Sequence, residues 1–117
     1  MDIQAYQDDR AEPKQGPCIF TDVELRWRER KGDKAQTYKV RARAKLDTGA
    51  TGPAISDRLI IPRIKRHSPI RIGGFDGTSS EYWYYTPKLQ MRIGSHRELI
   101  SFDIIKTPPN VDIYLPV

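Results

Sequence analysis

The chain is poor in soft-ligand chemistry: one cysteine and two histidines in 117 residues. Cys18 alone can form neither an internal disulfide nor a multi-thiolate metal site. A lone free thiol is expected in a reducing compartment, here the cytoplasm. Neither His67 nor His96 stands at metal-ligand spacing from a second donor. Both read as loop residues, and no metal or other cofactor is expected. No apolar run approaches the roughly 20 residues that span a bilayer, so no membrane partner is expected. The opening "MDIQAYQDDRAEPKQGP" has no apolar stretch of the kind a secretory signal needs. No Lys-Ser/Thr pair follows the glycines, which argues against a phosphate-binding loop.

What is present suits one small globular domain. Hydrophobic residues make up 38% and charged residues 30%, a soluble but polar composition. The net charge of +5 suggests affinity for polyanions or acidic partners. Acidic residues are interspersed with the basic ones, however, so an ordinary basic surface is the first reading. Residues 1–17 are polar and proline-containing and read as a disordered or loosely attached arm. The domain is expected over 18–117.

From residue 19 onward the hydrophobic period is two. In "TDVELRWRE", Val23, Leu25 and Trp27 alternate with charged residues, as in a half-buried strand. "RKGDKAQ" reads as a hairpin loop. In "YKVRARAKL", Tyr38, Val40, Ala42, Ala44 and Leu46 share one face, and Lys39, Arg41, Arg43 and Lys45 the other. These two strands predict an antiparallel hairpin whose second strand ends at Asp47. Ser56 can cap a single helical turn over 57–60, stopped by Pro62. Residues 70–93 read as a long hairpin with a glycine-rich tip, "GGFDGTSS". "GSH" is a short turn, "ELISFDII" one strand, and "VDIYLPV" a last strand after the "TPPN" break. Every clear element is a strand, so the expected class is all-β.

The chemistry-bearing stretch is "KLDTGATG". Asp47 stands at a strand end, followed by residues small enough to let the backbone approach its carboxylate. Two close carboxylates that share one proton can activate water and polarise a peptide carbonyl together. This chain has one Asp-Thr-Gly and no second copy. Asp57, Asp76, Asp103 and Asp112 lack the following Thr/Ser-Gly.

Asp47-Thr48-Gly49-Ala50, the hairpin before it, the Ile72-Gly73-Gly74-Phe75-Asp76-Gly77 tip after it and the apolar "VDIYLPV" end resemble the retroviral protease (retropepsin) family. The likeness is greatest to proteases of gypsy-type LTR retrotransposons, and it spans about residues 20 to 117. The resemblance implies a small closed β-barrel of the acid protease type. It implies an aspartic endopeptidase that processes a retrotransposon-like polyprotein. Asp47 would be catalytic, with Thr48, Gly49 and Ala50 positioning it. Residues 72–77 would form a flap over an extended peptide. With one aspartate per chain, the enzyme would be a homodimer with the two Asp47 side chains at its two-fold axis.

Two other readings stand beside this one. The domain is a catalytically inactive retropepsin-like module that dimerises or binds protein. Or it is a small basic β-barrel that binds nucleic acid through Arg41, Arg43, Lys45 and the aromatic run Tyr82-Trp83-Tyr84-Tyr85. The missing basic neighbours beside that run disfavour nucleic acid, and its alternation suggests side chains that fill the core.

Overall fold

Strict alternation makes the two longest strands. The computed structural model describes residues 3–6, 18–73 and 79–117. A short β1 (Ile3–Tyr6) pairs antiparallel with the start of β2 (Cys18–Lys31), within the segment read as an arm. β2 and β3 (Lys34–Asp47) pair in unbroken register from Ile19↔Leu46 to Lys31↔Lys34. The connection is therefore the two residues Gly32-Asp33, not a loop over 30–36. Gly32, at φ 64°, takes the first central position of the turn, where only glycine is comfortable.

The other strands are β4 (Ala54–Ser56), β5 (Ile64–Gly73), β6 (Ser79–Tyr85), β7 (Leu89–Ile93), β8 (His96–Ile100), β9 (Asp103–Ile105) and β10 (Ile113–Pro116). The sheet order is β5-β6-β9-β4-β10-β3-β2-β7-β8. β10 lies between β3 and β4, parallel to the first and antiparallel to the second. The last strand in the sequence thus wedges between the two strands that flank the Asp47 loop.

The all-β class holds, but the sheet is open and the expected closed barrel is not formed. Closure would need β5 to pair with β8. β5 carries Pro69, which has no N–H to donate, and its pairing with β6 shifts register between Lys65 and Ile70. β8 presents exposed His96, Arg97 and Glu98. Both are features of strands that end a sheet.

Several local expectations are corrected. Residues 57–60 form no helical turn: the hydrogen-bonded turn spans Ser56 to Leu59, where Leu59 N–H donates to the Ser56 carbonyl at 3.3 Å. Ser56 Oγ does accept the Arg58 N–H at 3.1 Å, but Pro62 follows too soon for a helix. Residues 89–93 do not prolong the 70–85 hairpin. Pro87 ends that excursion, and β7 instead joins β2 and β8. "ELISFDII" is split at Ser101-Phe102 into β8 and β9, which lie far apart in the sheet order. The "GSH" turn is as expected, with Gly94 at φ 58° and Ile93 paired to His96. His67 and His96 sit in β5 and β8, not in loops.

The core forms on one face of β2, β3, β4, β7, β9 and β10. Val23, Leu25, Ala42, Ala44, Ile55, Leu89, Met91, Ile104, Ile113 and Leu115 pack there, joined by Ile61 and Phe102 from connections. Fully burying one of the larger side chains contributes about 1.5–3 kcal/mol before entropy is counted. The expected core role of the aromatic run fails. Trp83 and Tyr84 are 38% and 41% exposed, and Tyr82 and Tyr85 are only partly buried. β6 lies next to the edge strand β5, whose Lys65 and Arg66 stand over the Trp83 and Tyr85 rings.

Candidate active site

Asp47 is the last residue of β3 and lies beside Pro116 of β10. Its neighbour Leu46 pairs with Leu115, which is buried in the core. The apolar alternation that builds β3 therefore also fixes where Asp47 emerges. Beyond it the chain turns at once. Gly49 N–H donates to Asp47 Oδ1 at 2.8 Å, and Ala50 N–H donates to the Asp47 carbonyl at 3.3 Å. A Cβ on Gly49 would stand 3.3 Å from Asp47 Oδ1, tighter than ordinary contact, so a larger residue there would press on the carboxylate. Asp47 is half-buried, Thr48 and Gly49 are exposed, and Ala50 is half-buried. Asp47, Thr48, Gly49 and Ala50 thus form one tight bend with the carboxylate held by the backbone.

The far end of the bend is also anchored. Asp103 N–H donates to the Pro53 carbonyl at 3.1 Å, and β4 is buried throughout. Two residues to which the sequence reading gave no role, Asp112 and Arg58, hold β10 in its slot. Asp112 Oδ2 accepts the Arg43 N–H at 2.9 Å, and the Asp112 carbonyl accepts the Ser56 N–H at 2.7 Å. Arg58 donates to the carbonyls of Thr107, Pro108 and Val111 at 2.7, 3.0 and 3.1 Å. Its guanidinium gathers the prolyl loop that leads into β10. The available signal for Asp112 was an aspartate opening an apolar strand; Arg58 carried none.

The candidate flap is described up to its tip. Ile72 pairs with Ser80 and Gly73 with Ser79, and both Ile72 and Gly73 are exposed. Gly74, Phe75, Asp76 and Gly77 lie outside the described residues. Among the described residues β6 meets β9 through Tyr84 and Tyr85, and the outer parts of β5 and β6 pair with each other beyond that contact. Arg71 and Glu81 bridge this arm at 2.9 Å. β10, β4 and β9 separate β3 from β6 in the sheet order.

A groove of about 510 Å³ lies elsewhere, lined by residues that include Trp27, Pro62, Pro87 and Leu99. Trp27 pairs with Tyr38, nine residues before Asp47 on β3. At about 3.4 Å per residue, the groove and Asp47 are on the order of 30 Å apart. The described residues hold no cluster of three or more potential metal ligands. No helix among them is long and apolar enough to cross a membrane.

No protein-family model matches this chain, and no curated protein does either.

Proposed function

We propose that the chain is one subunit of an aspartic endopeptidase of the retropepsin type, active as a homodimer on extended peptide or polyprotein segments. The observation that carries this reading is the Asp47 carboxylate at a strand end, held at 2.8 Å by the Gly49 N–H in an Asp-Thr-Gly-Ala bend. The β5–β6 arm supports it as a candidate cover for substrate.

In the proposed dimer, Asp47 and its symmetry mate lie close enough to share one proton. The ionised carboxylate accepts a proton from water as the water oxygen attacks the scissile carbonyl carbon. The protonated carboxyl donates to the carbonyl oxygen, giving a neutral gem-diol. Collapse of that diol breaks the C–N bond: one diol O–H gives its proton to the ionised carboxylate, the protonated carboxyl gives its proton to the amide nitrogen, and the amine leaves with the dyad again holding one proton. The Gly49 N–H keeps one Asp47 oxygen oriented, and Thr48 would bond across the paired bends. The peptide would add its backbone to the arm as an extra strand.

The test is cleavage of an unstructured protein substrate over a range of enzyme concentrations. Specific activity should rise with concentration as dimers form, pepstatin-type inhibitors should block it, and Asp47→Asn should abolish it. A dimer that cleaves nothing would instead identify a silent binding module. Cleavage that survives Asp47→Asn would refute the assignment.

A further inference from the structure

The registered pairing of four strands collects positive charge on the sheet face opposite the core. Arg41 of β3 stands across from Glu24 of β2, Glu24 across from Arg92 of β7, and Arg92 across from Arg97 of β8. One step along, Lys39 stands across from Arg26. Five cations thus stand around Glu24, which pairs with Arg26 at 3.1 Å, and Asp22 follows on the same face across from Arg43. Two of the cross-strand pairs, Arg26↔Lys39 and Arg92↔Arg97, are like-charged, an arrangement that costs stability when nothing neutralises it. Lys39, Arg41, Arg92 and Arg97 are exposed. Further out on the same face, Arg28 and Arg30 continue the row along the β2–β3 hairpin.

We propose that this outer face of β3, β2, β7 and β8 binds the phosphate backbone of a nucleic acid strand. Sheet geometry spaces the cations about 4.7–4.9 Å across strands and about 6.8 Å along them, giving a linear track. A linear polyanion with regularly spaced charges fits such a track. Four of the five cations are arginines, whose planar fork engages phosphate oxygens in pairs. An anionic membrane would call for apolar side chains to insert, and this face offers one exposed large apolar residue, Leu99 at its margin. The site shares Arg41 of β3 with the nucleic-acid surface that the sequence suggested but not its aromatic run. The aromatic run sits on β6, at the other end of the sheet order. There it has its own cations, Lys65 over Trp83 and Arg66 over Tyr85.

The experiment measures binding of a fluorescent 20-nucleotide single-stranded DNA between 50 and 200 mM salt. Neutralising about four phosphates gives a slope of about −2.8 in log K against log salt. Arg92→Gln/Arg97→Gln should make the slope shallower by about 1.4 and weaken binding about tenfold at the lower salt. That variant relieves a like-charge pair, and circular dichroism should show it folded. Lys65→Gln/Lys106→Gln removes the same charge elsewhere and should leave most of the affinity. Absence of oligonucleotide binding at 50 mM salt would overturn the proposal. So would equal losses in the two variants, or binding to phosphatidylserine vesicles without binding to DNA.

Discussion

Asp112 and Arg43 hold each other at two points: the Arg43 N–H donates to Asp112 Oδ2 at 2.9 Å, and the Asp112 N–H donates to the Arg43 carbonyl at 2.9 Å. The pair fixes the start of β10 against β3, four residues upstream of Asp47. Arg58 adds a weaker contact, 3.8 Å from Asp112 Oδ1. Asp112→Ala leaves the Arg43 N–H without its charged acceptor. It should lower the unfolding free energy by about 1.5–3 kcal/mol, read from the urea midpoint at constant m-value. Asp112→Asn keeps an acceptor oxygen and should lose less.

Thr86 is fully buried where the chain leaves β6, and its Oγ1 accepts the Phe102 N–H at 2.9 Å. Its N–H donates to the Phe102 carbonyl at 2.8 Å, and Ser101 Oγ donates to its carbonyl. Thr86→Val keeps the shape but strands the Phe102 N–H in a dry site. The expected loss is about 1–3 kcal/mol. Thr86→Ser, which keeps the acceptor, should lose mainly the methyl packing. Comparing the two variants by thermal and urea unfolding separates the hydrogen bond from the volume.

Sequence pattern made the β2–β3 pair legible because its alternation is strict and its apolar face is needed by the core. Asp47 was legible for the same reason, since the register of β3 fixes its end. The split of residues 96–105 into β8 and β9 was not. Leu99, Ile100, Phe102, Ile104 and Ile105 read as one apolar stretch, and only the hydrogen bonds from Ser101 and Phe102 to Thr86 show that the chain changes partner there. The barrel expectation came from resemblance, and pairing across the whole sheet decides that point. Nor does local sequence reveal that Arg92 will stand opposite Glu24 and Arg97 opposite Arg92, in one row with Arg41.

Gly49 offers a way to disturb the site without disturbing the fold. It is exposed, and its backbone is not in the left-handed region. Gly49→Ala therefore strains no dihedral angle. The new Cβ would meet Asp47 Oδ1 at 3.3 Å, so the carboxylate must give by a few tenths of an ångström. Stability should change by no more than about 0.5 kcal/mol, as for other exposed substitutions. If Asp47 works in a dyad, peptide cleavage should fall by about tenfold, because small misplacements of a catalytic group are costly. An unchanged turnover at unchanged stability would show that the Gly49–Asp47 contact does not set the carboxylate's working position.

Glu24 links stability to charge on the basic face. Its partial burial, with the side chain 18% exposed, disfavours the charged form. Arg92, and then Arg26 and Lys39, outweigh that effect and hold Glu24 below its ordinary value of 4.5. A carboxylate with a lowered folded pKa adds stability above its unfolded pKa and loses it as pH falls through the folded one. Wild type should therefore be more stable than Glu24→Gln at neutral pH, and the two should converge as pH drops below 4.5. Salt should narrow the neutral-pH difference, since it screens the freed repulsion among the arginines. The same substitution removes the carboxylate at the centre of the five cations, so oligonucleotide affinity should rise as stability falls. Opposite movements in the two measurements are the signature of a face whose charges serve a ligand better than the fold; a parallel fall in both would show that Glu24 positions the arginines rather than neutralising them.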